Sequence, residues 1–456
     1  MTPPHSANDM SRSRTNGPAT RPPSRAKTLG LWACVSLVVG NIIGSGIFLL
    51  PSSLAPYGTL AIAGWLVTAL GAICLALVFA RLARMMPAAG GPYAYTHAAF
   101  GDFMGFWVTW GYWIALWTGN AAIAVALGSY LKVFIPAFEG NTLYVALAAV
   151  AAVWVFTIVN ALGIRSASAV QIVTVILKLV PLLVVGTLGL AFVERANFEP
   201  LIPSGTNPLQ AISAAATLTL WAFLGIESAT IPADSVRRPE WTIPRATVIG
   251  TALSAAVYIA TTIAVMGAVP RETLSASQAP IADAARLMWG DWAYYAVGAG
   301  AIVSCAGTLN GWMLLAGQFP RAAAQDGSFP ARFATLSARG VPLFATVVAA
   351  GLVTLLLAFN YSGAATLVSV FNFTILLATL ANLIPYAFCS IAPVLIARRA
   401  PHAAPRPRAR DHAVAAVAFL FSVGAVYGAG AQTALLGVVL MLLGVPVYAW
   451  LKRERE

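Results

Sequence analysis

Charge is scarce in this sequence. Only 9% of its 456 residues are Asp, Glu, Lys or Arg, against about a quarter in ordinary soluble domains. None of them lies between Lys27 and Arg81. A soluble globular class is excluded on that ground. Histidine is rare too, and His5, His97, His402 and His412 all fall in polar tails or loops. Cys34, Cys74, Cys305 and Cys389 lie in apolar segments without ligand-like spacing. Neither a metal site nor a disulfide framework is expected, and no cofactor. The sequence also lacks the short alternating strands of a membrane barrel. The first 28 residues have no apolar core but carry Arg12, Arg14, Arg21, Arg25 and Lys27. They are expected to be a disordered cytoplasmic tail, not a cleavable leader.

What remains is 59% hydrophobic. Spans of roughly 20 apolar residues cross a bilayer core as helix. Twelve such segments are expected, at 31–55, 59–80, 103–131, 143–163, 168–193, 209–233, 246–269, 293–318, 341–359, 364–397, 413–430 and 432–451. The fold class is therefore an all-α polytopic membrane protein. With the N-tail inside, 22 of the 27 Lys and Arg fall on the cytoplasmic side, and only Lys132, Arg195, Arg271 and Arg286 fall outside. That asymmetry sets the orientation, with both termini cytoplasmic. It also explains the net charge of +12 as topology. Nucleic acid is not an expected partner; membrane lipid is.

Two spans contain residues that break helices. Span one carries Gly44-Ser45-Gly46 near its middle, and span six carries Gly225 and Ser228. Gly44 stands seven residues before Pro51, and Gly225 stands seven before Pro232. Irregular backbone at membrane depth is tolerated only inside protein or along a cavity. Close packing through small residues is the alternative use of glycine here. Matching interruptions at the start of two five-span halves, however, point to an inverted-repeat transporter. A broken helix presents N–H groups that suit a carboxylate and C=O groups that suit an ammonium. Two broken helices side by side can hold a zwitterion without a charged side chain.

The stretches GNIIGSGIFLLP (40–51), GGPYAYTHAAFG (90–101), YWIALWTGN (112–120), LWAFLGIESA (220–229), RPEWTIPRAT (238–247), GWMLLAGQ (311–318) and LIPY (383–386) resemble the amino acid–polyamine–organocation (APC) superfamily. Within it, they are most similar to bacterial basic amino acid and polyamine antiporters of the arginine–agmatine and putrescine–ornithine kind. The resemblance implies a LeuT-like 5+5 inverted repeat, with halves at 29–198 and 199–400, two further helices within 401–451 and a cytoplasmic tail at 452–456. It implies a secondary active transporter in a bacterial inner membrane, exchanging cationic amino acids for related amines by alternating access.

Residue roles follow from the same resemblance. Ser45 and Gly46, beside Gly44 and with the Ile42 carbonyl, match the anchors of the substrate's carboxylate and amine. Trp221 matches an aromatic ring stacked on the substrate's cationic end, an attractive contact for any desolvated cation. Trp312 joins it, although most of the 13 tryptophans are expected to be anchors or core. Asn120 matches a contact to the substrate's polar end, with an interhelical hydrogen bond as its alternative. Ala115, Leu116 and Ala378 line the side-chain pocket by likeness, and Leu224 joins the substrate-binding set. Glu227 is the sole acidic residue inside an apolar span away from its ends. An ionisable group at that depth is a functional candidate, and the resemblance supplies Tyr112 and Tyr386 as its gate partners. Lys178 departs from the nearest likeness, which has a small apolar residue there. In other branches a lysine at that position stands where sodium-coupled relatives hold the ion, which implies sodium independence and leaves a proton-coupling role open. Arg238 departs too, since the family pattern has Asn before the proline.

The runner-up reading is a sodium-independent, proton-coupled permease of broad or neutral specificity. An enzyme is not expected, because clustered nucleophiles, acids or metal ligands are missing at depth. A channel is disfavoured, since one glutamate makes no charged ring without oligomers. Whether two copies form a homodimer stays open.

Overall fold

Backbone groups in a bilayer core must bond within the chain, so apolar runs of this length become helices. The computed structural model describes residues 29–87, 91–138, 140–162, 164–202, 205, 207–230, 233, 236–361, 366–399 and 407–453, without the side chains of 164–173, 175, 176 and 322. The expected tail at 1–28 and Pro232 lie outside the described residues, as does Glu454–Glu456 at the other end.

The first span is split into α1 (Leu31–Ile42) and α2 (Gly46–Leu54). Then come α3 (Leu60–Met85), α4 (Gly91–Phe100), α5 (Asp102–Leu131), α6 (Thr142–Ala161) and α7 (Ile164–Thr187). The second part holds α8 (Pro208–Leu220), α9 (Pro239–Ala268), α10 (Arg271–Ala276), α11 (Pro280–Trp289) and α12 (Asp291–Gln325). The last elements are α13 (Leu343–Tyr361), α14 (Leu367–Arg399), α15 (Ala409–Gly428), α16 (Ala431–Leu442) and α17 (Gly444–Arg453). Among the described residues ten helical segments are long and apolar enough to cross a bilayer, and the bent pair α1–α2 adds an eleventh. The expected span at 168–193 coincides with α7 and the 3₁₀ turn Leu188–Phe192, outside that count.

Local chemistry sets the ends. Asn207 caps α8, its side chain accepting from the N–H groups of Leu209 and Gln210, with Pro208 at the first helical position, where its missing N–H costs nothing. Asn141 caps α6 through the N–H of Tyr144. The seventh span begins at Pro239, seven residues earlier than its apolar run at 246–269, because a proline at the first turn starts a helix as well as an apolar residue does. The residue before it, Arg238, takes the left-handed conformation (φ 47°, ψ 62°) and is the one non-glycine residue with positive φ among the described residues.

The layering follows burial. In α5, 94% of the membrane window is covered by protein, so this helix is the axis of the bundle. It packs against α12 and α14, while α3 packs against α8 and α9. The corresponding share is 17% in α15 and 22% in α16–α17, which places these helices at the periphery. Loop contacts sort into two ends. At one end Arg399 donates to the Ala98 carbonyl, Tyr93 meets Ser328, and Leu29 bridges Val236. At the other, Arg271 donates to the Pro200 carbonyl, Ser129 to that of Gln278, and the Glu194 N–H to that of Gly267. These two groups are the loops that charge counting assigned to opposite sides.

The left-handed region costs a side chain with a Cβ about 1–2 kcal/mol, and asparagine tolerates it better than arginine. Arg238→Asn is therefore expected to stabilise the purified protein by about 1 kcal/mol, read as a higher melting temperature in detergent. An unchanged or lower value would contradict a strained backbone at this turn.

Candidate functional site at two contiguous helix breaks

The break in the first span is short. The Ile43 N–H still bonds to Val39, but Ile43 then turns extended (φ −77°, ψ 97°) and α2 restarts at Gly46, bent by 43°. In the sixth span α8 tightens to a 3₁₀ turn at Trp221–Phe223 and Leu224 becomes extended. Gly225 follows at φ +106°, and a second 3₁₀ turn runs over Ile226–Thr230. Only glycine enters the Gly225 conformation without strain. The two breaks touch, since a Cβ on Gly225 would lie 3.3 Å from the Asn41 carbonyl.

The carbonyls orphaned at the end of α1 find specific partners. Val39 keeps the Ile43 N–H. Gly40 accepts from the Lys178 ammonium. Ile42 accepts from the Tyr258 hydroxyl at 2.6 Å, and the same hydroxyl stands 3.0 Å from the Ala222 carbonyl. Tyr258 on α9 thus bridges both breaks with one side chain. The Ile42 carbonyl, expected to face the substrate's amine, already holds this tyrosine and retains one lone pair. The fourth carbonyl of the set belongs to Asn41, which lines the cavity described next.

Between the breaks lies a cavity of roughly 10 Å³, about one water in size. Ile42, Gly44, Ser45, Gly46, Trp221, Leu224 and Trp312 line it, as the sequence reading grouped them. Thr308 and Ile123 line it as well, and neither was anticipated. The Trp221 and Trp312 rings meet at a centroid distance of 5.5 Å and an angle of 55°. They close on Gly119, where a Cβ would come within 2.6 Å of Trp312 and 2.9 Å of Trp221. A Cβ on Gly46 would likewise come within 3.1 Å of the Trp221 ring. Ser45 Oγ, Trp312 Nε1 and Asn120 Oδ1 are buried without a hydrogen-bond partner. Buried polar atoms are usually paired, so Ser45 and Trp312 bring unused hydrogen-bonding capacity to this cavity, and Asn120 Oδ1 holds the same on α5 outside it.

Four expected residues do not line this cavity. Tyr112, Ala115, Leu116 and Asn120 are buried on α5, and the Asn120 amide donates back to the Leu116 carbonyl at 2.9 Å. Tyr112 instead belongs to a second cluster. Its hydroxyl donates to Glu227 Oε1 at 2.6 Å, and the Tyr386 hydroxyl donates to Oε2 at 2.8 Å. Glu227 is 1% exposed, so α5, α14 and the broken sixth span are tied at one buried carboxylate. Lys178 is fully buried and donates to a backbone carbonyl, so its ammonium does not reach a membrane interface. Tyr258 was missed by sequence reasoning. The available signal was a lone phenol among the apolar and hydroxyl residues of its span. Gly119 and Thr308 gave none, because their roles arise only from packing between distant segments.

A multi-pass helical protein with two contiguous breaks around a central cavity is built as a secondary transporter. A family model described as amino acid permease matches residues 29–448, and the chain belongs to that family, within the APC superfamily. It is a transporter, not an enzyme. It is 38% identical over 345 residues to a cadaverine/lysine antiporter of Escherichia coli (strain K12), covering 75% of this chain and 77% of that protein. It is 30% identical over 428 residues to the putrescine transporter PotE of Haemophilus influenzae, covering 94% and 98%. PotE of Escherichia coli (strain K12) is likewise 30% identical, over 435 residues covering 93% and 96%.

Removing one donor from a buried carboxylate costs about 1–3 kcal/mol. Tyr112→Phe and Tyr386→Phe are each expected to destabilise by that amount in detergent unfolding. Because they share Glu227, the double variant should depart from additivity by at least about 0.5 kcal/mol. Strict additivity, or no loss in either single variant, would mean that the three side chains do not act together.

Proposed function

We propose that the chain is an antiporter that exchanges a cationic amino acid for a related diamine or amine, with the site at the junction of the two helix breaks. The observation that carries this reading is the Trp221–Trp312 pair beside the broken-helix ends. Backbone N–H groups at Gly44–Gly46 suit the α-carboxylate and the orphan carbonyls suit the α-ammonium. The indole faces suit a second, distal cation. The names of the relatives add lysine and cadaverine to the arginine–agmatine and putrescine–ornithine pairs that the sequence resemblance implied, and support putrescine among them. Exchanging an amino acid of charge +1 for a diamine of charge +2 moves one charge per cycle, about 2.3 kcal/mol at 100 mV.

In this reading Glu227, Tyr112 and Tyr386 form the inner gate, and Ala115, Leu116 and Asn120 border the pocket once it opens. Lys178 holds the end of α1 with its own ammonium, which supports sodium independence. The proton-coupled permease is not favoured by the relatives. We further propose two inverted halves at 29–198 and 199–400 with 401–451 appended, giving twelve spans. Both termini face the cytoplasm of a bacterial inner membrane, as the basic loops favour. Lipid covers the peripheral helices α15–α17.

The test is uptake of labelled lysine into sodium-free proteoliposomes, empty or preloaded with cadaverine, putrescine, agmatine or alanine, with and without a pH gradient. Uptake is expected only against an internal cationic amine. Uptake into empty vesicles driven by outside acid would overturn exchange. Trp221→Ala should weaken cationic substrates about 30-fold, the equivalent of a desolvated cation–π contact of about 2 kcal/mol.

A further inference from the structure

A second, larger cavity lies away from the helix breaks. It measures about 690 Å³ and opens at the end of the bundle where α3 and α14 finish and α15 begins. Its rim carries Arg81 and Arg84 from α3, and Arg408 and Arg410 from the start of α15, with Asp411 as the sole acid in the lining. That acid is already engaged. It forms an ion pair with Arg81, accepts from the Arg408 backbone N–H at 2.8 Å and lies 3.9 Å from Arg410. Among the described residues, Arg84 and Arg408 have no ion-pair partner. Four guanidinium groups around one occupied carboxylate leave a net positive pocket suited to a phosphate oxyanion, which arginine binds in bidentate fashion.

The lower wall of the same cavity is apolar. Leu77 and Val414 line it, and Leu77 is 40% exposed, on the outward side of the bundle. The wall continues into the sparsely covered face of α15. A basic rim at the level of the helix ends above an apolar slot is the shape of an anionic phospholipid, headgroup uppermost. Basic pockets between membrane helices take such headgroups. A free phosphate would leave the apolar part of the cavity unfilled.

We propose that this cleft between α3, α14 and α15 is a binding site for an anionic phospholipid, its phosphodiester held by Arg84, Arg408 and Arg410 and its acyl chain along Leu77 and Val414. Arg81 positions the site by fixing Asp411 at the start of α15. The proposal rests on the chain spanning a membrane and not on which substrate it exchanges.

The test uses the full chain in detergent, with retained lipid counted by native mass spectrometry and no transport assay. Phosphatidylglycerol should be retained in preference to phosphatidylcholine. In Arg84→Gln/Arg408→Gln, phosphatidylglycerol affinity should fall on the order of 30-fold, since each basic residue at an anionic surface is worth roughly fivefold. Millimolar inorganic phosphate should not displace the lipid. Equal retention of phosphatidylcholine, unchanged affinity in the double variant, or displacement by inorganic phosphate would each overturn the proposal, the last in favour of a small-anion site. Should the double variant fail to fold, Arg84→Gln alone decides. A loss of roughly fivefold supports the site, and an unchanged affinity rejects it.

Discussion

The constraint on which the structure turns is that a helix broken inside a membrane leaves carbonyls that water cannot satisfy. At the end of α1 the protein answers with side chains from two other helices. Lys178 takes Gly40, and Tyr258 takes Ile42 while standing beside Ala222 in the other break. These bonds do more than satisfy the backbone. They fix the two breaks relative to each other, so that Gly44–Gly46, Asn41 and Leu224 face one small cavity.

The same economy governs the walls. The indoles of Trp221 and Trp312 reach the cavity only because Gly46 and Gly119 carry no Cβ, and a methyl at Gly119 would overlap both rings. On one side of the breaks, Glu227 gathers two phenols from α5 and α14. On the other side Tyr130 donates to the Phe48 carbonyl and Ser52 to that of Ser277, pinning α2 beneath the α10–α11 segment. A substrate larger than one water must therefore displace walls to enter. In the proposed exchange cycle the hydrogen-bonded carboxylate and the α2–α10 contacts are the elements that part in turn.

Much of this was legible from residue types. Glycine at matching positions marked both breaks, and a carboxylate at membrane depth marked Glu227, while its partners Tyr112 and Tyr386 came from the family resemblance and not from residue type. The charge asymmetry separated loops that the structure finds in contact from loops that it finds apart. Other features were not legible, for stated reasons. Tyr258 and Thr308 act across long sequence separations, and an apolar span gives no hint of which side chain will cap a distant carbonyl. The helices α10 and α11 lie between spans, in a stretch too polar to register as membrane. The early start of α9 depends on Pro239 and on the conformation of Arg238, not on hydropathy. Asn120, read as a substrate contact, donates its amide to the Leu116 carbonyl here and stands outside the small cavity.

The most direct measurement is an experimental structure of the protein with bound lysine. The account predicts the substrate's α-carboxylate on the N–H groups of Gly44–Gly46 and its α-ammonium near the Asn41 and Ile42 carbonyls. The side-chain ammonium should lie against Trp221 or Trp312. Density for lysine elsewhere, with Trp221, Trp312 and both breaks unchanged, would contradict the claim that the two broken helices form the binding site.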